Sequence, residues 1–189
     1  MQKNNSKRNI IFIIIIMLII SFSIVFVQYK DNNKPKANLV ISSKQSNIIK
    51  ITDKLPLIDN VGKNIIYNKD NMSVQGYYSF IVKNNSNFDT NFEIYLDDSK
   101  YENTIHPNFI KTYLTDSNDN PVTGFDGLAV PTYYKLRVSN IVPTGRKIYE
   151  GNLKSFESKK YTLRAWVGDA YSIDVLSKSF SFDVKVEAK

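Results

Sequence analysis

The residues with the most chemical potential in this 189-residue chain are few and widely spaced. His106 is the only histidine and there is no cysteine, so neither a nucleophile–imidazole pair nor an ordinary transition-metal ligand set is indicated. His106-Pro107 reads as a loop-to-strand junction with a structural or surface role. Asp116-Ser-Asn-Asp-Asn120 offers oxygens at alternate positions, as a calcium loop would. Such a loop wants Gly sixth and Glu twelfth, and those places hold Pro121 and Gly127. A turn is the expectation there, and another at Asp97-Asp98, whose carboxylates have no second acidic cluster nearby in sequence. Gly124, Gly127 and Gly145 fit no strand-then-helix phosphate loop. No catalytic residue and no cofactor is assigned, and a non-enzymatic protein is expected.

One pair carries a binding expectation. Trp166 and Arg164 fall on the face of a strand opposite Leu163. If exposed, the two form a candidate interaction surface, because Trp and Arg are enriched at interface centres. The alternative is that Arg164 stacks on Trp166 across the outer face of a sheet.

The elements that must position these residues read as strands. Alternation is clear in Tyr78, Phe80 and Val82, and in Phe92, Ile94 and Leu96 set against Glu93, Tyr95 and Asp97. It recurs in Tyr134, Leu136 and Val138, and in Tyr161, Leu163, Ala165 and Val167. The last strand is the plainest, with Phe180, Phe182, Val184 and Val186 inward and Ser181, Asp183, Lys185 and Glu187 outward. Polar clusters at Asn84–Asn87, Asp97–Ser99, Asp116–Pro121 and Pro143–Gly145 supply the turns. Short half-buried strands at this spacing predict an all-β fold, an immunoglobulin-like antiparallel β-sandwich, over residues 48–189. Tyr161, opening a strand after a polar turn, is a candidate to pin that corner through its hydroxyl.

Ahead of the sandwich lies Ile10–Val27, 18 residues without a charge. As a helix this run would be about 27 Å long, close to the hydrocarbon thickness of a bilayer. Lys3, Lys7 and Arg8 precede it without an acidic residue, which predicts a cytoplasmic N-terminus (1–9) and one transmembrane helix (10–27). A polar tether (28–47) would follow, with Leu39-Val-Ile41 a candidate edge strand, and then the extracytoplasmic domain. The competing reading is a cleaved leader. Against it, the apolar run is long and Ser21-Phe-Ser23 lies inside it rather than after it.

Beyond Val27 there are 22 basic and 18 acidic residues, a mild excess that does not form a nucleic-acid-binding stripe. The expected partners are therefore the bilayer, through residues 10–27, and a cell-wall polymer or protein. Without disulfides the exported domain must rely on its own core.

Ile51–Gly62, the strands Tyr78–Asn84 and Phe92–Leu96, Tyr161–Val167 and the closing Lys178–Ala188 together resemble a family of small membrane-anchored surface proteins of low-GC Gram-positive bacteria. The resemblance implies a cell-surface location and a sandwich fold, and no particular activity. More distantly the chain is similar to biofilm-fibre β-sandwich subunits. Three roles stand open at this level: a surface interaction or structural module, a fibre subunit completed by a neighbour's strand (with Ala37–Ile41 as donor), and an envelope hydrolase.

Overall fold

The computed structural model describes residues 13–25, 37–66, 76–127, 129–171 and 177–189. The chain divides into two compact units, Met1–Lys36 and Ala37–Lys189. In the first, residues 13–25 form a helix, α1, whose side chains are all exposed. The hydroxyls of Ser21 and Ser23 donate to the carbonyls of Met17 and Ile19, at 2.6 and 2.8 Å. Among the described residues no helix is long and apolar enough to cross a membrane. Residues 10–12 and 26–27 of the expected span lie outside the described residues.

The second unit is a two-layer antiparallel β-sandwich. Its strands are β1 (Leu39–Ser42), β2 (Ile48–Thr52), β3 (Tyr77–Asn84), β4 (Thr90–Asp97), β5 (Ile110–Thr115), β6 (Arg137–Val138), β7 (Arg146–Leu153), β8 (Ser158–Val167) and β9 (Ser179–Ala188). A four-stranded sheet has the order β1-β3-β8-β5 and a five-stranded sheet the order β2-β9-β4-β7-β6. Among the described strands only the β6–β7 connection stays within one sheet, and the others cross between layers. Contacts of high sequence separation therefore close the core.

Alternation places the core as expected. Phe80, Val82, Leu163, Ala165 and Leu114 of one sheet meet Phe92, Ile94, Leu96, Phe180, Phe182 and Val184 of the other, all essentially inaccessible to water. The rings interlock in tilted and edge-to-face pairs, such as Tyr133 with Phe180 at 5.1 Å, a geometry favoured by the ring quadrupoles. Burial at this density is the stabilisation that a chain without cysteine requires.

Three expectations change. The edge strand β1 belongs to the sandwich, since Leu39 to Ser42 pair with Asn84 to Ile81 of β3. The crossover after it is docked too: Ser43 Oγ donates to the Ser79 carbonyl and the Ser79 amide donates to Gln45. Second, the strand expected around Tyr134–Val138 is mostly a 3₁₀ turn, Tyr133–Lys135, followed by the two-residue β6. The tighter turn brings Tyr133 inward and leaves Tyr134 and Val138 exposed. Third, Asp97 is the last residue of β4 and is buried, rather than a turn residue.

Candidate functional site

The outer face of the four-stranded sheet carries the expected pair Arg164 and Trp166. Both point away from the sandwich core, as alternation predicts, yet they are 6 % and 0 % exposed. The interaction surface expected at these two residues is therefore absent from the described surface, for a simple reason. Residues 53–66 fold back over β8 as a roof, with a parallel bridge between Leu57 and Gly168 and the Leu57 amide donating to the Val167 carbonyl. A one-turn helix, α2 (Asp59–Gly62), presses Gly62 onto the indole. A Cβ on Gly62 would lie 2.1 Å from Trp166 Cε2, so only glycine allows this approach.

Arg164 is a tie point. Its Nε donates to the Ile65 carbonyl at 2.9 Å, Nη1 to Thr115 Oγ1 at 3.1 Å and Nη2 to Asp119 Oδ1 at 2.9 Å. Its guanidinium lies over the ring of Tyr77, which takes the stacking role expected of Trp166. One side chain thus joins the roof, β5, β8 and the 116–120 turn. Trp166 Nε1 has no hydrogen-bond partner among the described residues, so the indole acts here through its apolar area. At the far end of the roof, Lys111 Nζ approaches Asp59 at 3.6 Å and donates to the Val130 carbonyl.

The 116–120 segment is a turn. Asp116 Oδ1 accepts from the amides of Asn118 and Asn120, and Asp119, at φ 59°, turns its carboxylate to Arg164. The Arg164 hydrogen bond holds the Asp119 carboxyl below its ordinary range, against a smaller opposing effect of burial. His106 is exposed and caps a 3₁₀ turn, Pro107–Phe109, through Nδ1. Among the described residues no group of three or more His, Cys, Asp or Glu side chains is placed to hold a metal ion.

The outer face of the five-stranded sheet holds the densest polar cluster. Register sets Glu93 opposite Glu150 and Glu187, Tyr95 opposite Lys147 and Lys185, and Asp97 opposite Asp183. An acidic row and a cationic row therefore run across β7, β4 and β9, and a second acidic pair joins β4 to β9. Like charges directly opposite one another repel, and the lysine row offsets that repulsion. Lys185 Nζ lies 2.7 Å from Asp97 and 3.8 Å from Asp183; Lys147 Nζ lies 3.2 Å from Glu150 and 4.0 Å from Glu93.

Loops complete the cluster. Tyr101 donates to Asp183 at 2.5 Å, Tyr95 to Glu187 at 2.8 Å, and the Asn140 amide and side chain to Glu93. Burial alone would raise the Asp97 carboxyl, but hydrogen bonds from Lys185 and Ser99 bring it down to about 2. The Tyr101 hydroxyl is pushed up to about 12, by burial first and then by its bond to Asp183. The second acidic partner of Asp97 thus comes from β9, 86 positions away in sequence. No local pattern could have announced it. Each carboxylate of this face has a donor, so the cluster ties β4, β7 and β9 together.

A cleft of about 610 Å³ is lined by Ile81, Asp116, Val122, Tyr149, Lys160 and Tyr161 among others. The Tyr161 ring packs against Tyr149 of the opposite sheet, with centroids 5.5 Å apart, a contact across the layers in place of the expected corner. Set beside known proteins, the chain matches no protein-family model, no curated protein and no solved structure.

Proposed function

We propose that the chain is a single-pass anchored protein of the bacterial cell surface, non-enzymatic, with its sandwich held outside the cytoplasm as an interaction or structural module. The carrying observation is α1. Its large apolar side chains, from Ile13 to Val25, are between 45 % and 74 % exposed, and its two serines return their hydroxyls to backbone carbonyls. Hydrocarbon is the solvent in which both features are favourable. The charge-free run extends in sequence to Ile10 and Val27, and Lys3, Lys7 and Arg8 before it support a cytoplasmic N-terminus.

The test is protease treatment of intact cells expressing the full chain with a C-terminal epitope. Epitope removal, with the remainder staying in carbonate-washed membranes, is expected. An epitope protected in intact cells would sink the orientation, and a shortened protein in the medium would replace the anchor with a cleaved leader. The immunoglobulin-like description is supported at the level of two packed antiparallel sheets. Connectivity supports it less, because among the described strands one hairpin alone stays within a sheet and immunoglobulin sheets contain several.

A fibre subunit is the second reading, and β1 favours it. This donor candidate is a four-residue edge strand next to the tether, so the same segment of a neighbour could replace it on β3. Cysteines at Val40 and Lys83, which face each other in register, distinguish the cases. Oxidation giving only intrachain bonds would remove the fibre reading.

A further inference from the structure

The strands of the four-stranded sheet contain Lys83, Lys111, Lys159, Lys160 and Arg164 and no acidic residue. Lys111 and Arg164 are engaged under the roof, and Lys159 is held by Glu157 and the Asn152 carbonyl. Lys83 and Lys160 remain exposed on the outer face. Register interleaves them with aliphatic side chains, Val40 opposite Lys83 and Ile81 opposite Lys160, and both Val40 and Ile81 are 40 % exposed.

On the same face the roof turns Leu57, Gly62 and Ile65 toward β8 and presents Leu55, Ile58, Val61 and Ile66 outward, 50–71 % exposed. These four are fixed on a platform nailed down by Trp166 and Arg164. Of the carboxylates around this face, Asp59 is engaged with Lys111, Asp119 with Arg164, Asp53 with the Ser177 amide and Asp116 within its own turn, while Asp169, next to the Leu57–Gly168 bridge, is exposed.

From this pattern we infer that the outer face of the four-stranded sheet docks onto an anionic lipid bilayer. The aliphatic side chains would enter the headgroup boundary while Lys83 and Lys160 meet phosphates. The inference rests on the anchored reading above. Eleven residues separate Val27 from Leu39, where the chain joins the edge of this same sheet. In any conformation eleven residues reach at most about 40 Å, which bounds how far this edge can stand from the surface that the anchor enters under that reading.

The absence of native cysteine makes single-site spin labelling of the full chain direct. Labels at Leu55→Cys and Val61→Cys are compared with one at Asn152→Cys, on the exposed outer face of the other sheet. The chain is reconstituted in phosphatidylcholine vesicles with or without roughly one-third phosphatidylglycerol. Collisions with a water-soluble nickel chelate should fall about threefold or more at Leu55 and Val61 in the anionic vesicles. They should stay unchanged at Asn152, and Lys83→Glu with Lys160→Glu should abolish the protection.

Equal nickel access at all three sites, in a chain that floats with the vesicles, would overturn docking and leave the anchor intact. A chain that fails to float overturns the anchored reading and docking with it. Protection that rises with protein concentration in detergent points to a second copy and overturns the lipid assignment. So does protection by soluble polyphosphate without vesicles.

Discussion

The two outward faces of the sandwich bury polar and aromatic side chains by opposite means. On the five-stranded sheet five acidic and five basic strand residues are present, and the buried ones are satisfied across the ladder by oppositely charged rows. On the four-stranded sheet five basic residues have no acidic strand partner, and a separate segment, 53–66, supplies the cover, the carbonyl for Arg164 and the carboxylate for Lys111. The first arrangement is electrostatic and built from neighbouring strands. The second is mainly packing, closed by chain that lies far away in sequence. The contrast teaches that an outward-pointing residue is exposed only if nothing later folds over it.

The comparison breaks most directly at Trp166. Trp166→Ala should cost about 3–5 kcal/mol in chemical denaturation of the full chain in detergent, because a fully buried aromatic leaves a cavity that the roof can fill only in part. A loss below about 1 kcal/mol would mean that the roof contributes little and that the faces differ less than described. Gly62→Ala tests the same contact from above, and overpacking against the indole should cost about 1–3 kcal/mol. Proteolysis within residues 53–66 should quicken in parallel.

The charged face is sharpened by pH. The Asp97 carboxyl is lowered in the folded protein, so its contribution is fully present above the ordinary carboxylate value near 4. It is lost as pH falls through about 2. Its magnitude is up to about 2 kcal/mol. Asp97→Asn should flatten the acid limb of a stability–pH curve measured between pH 5 and 2 relative to the unaltered chain. Unchanged limbs would show that Lys185 and Asp97 are not coupled.

Tyr101 gives the smaller effect with the opposite sign. Its hydroxyl is raised to about 12, so its contribution is complete below pH 10 and disappears as pH climbs through 12. Tyr101→Phe should cost about 1 kcal/mol near neutrality, leaving Asp183 with Lys100 as a donor and Lys185 as a neighbouring cation. Smallest of all, Lys83→Gln on the open part of the four-stranded face should change stability by under about 0.5 kcal/mol, which separates that residue's role from folding.

Reading along the chain was most dependable where one interaction governs. Phe180, Phe182 and Val184 alternate because a pleated strand projects successive side chains to opposite sides, and their burial follows from hydrophobicity alone. Tyr133 escaped the same reasoning because a 3₁₀ turn shifted its period by one residue and exchanged its place with Tyr134. The roof had a weak signal of its own. Leu55-Pro-Leu-Ile58 is apolar without strand alternation, a pattern suited to chain that lies on a surface rather than within a sheet.

The class of fold, the inward residues of the long strands, the disulfide-free core and the uncharged run at Ile10–Val27 follow from local composition and period. That Arg164 and Trp166 are interior, that Asp97 faces Asp183 and that β1 pairs with β3 follow from long-range packing. Each of these depends on which distant segment arrives at a face. That outcome is set by the closure of the whole sandwich, not by the residues on either side in the chain.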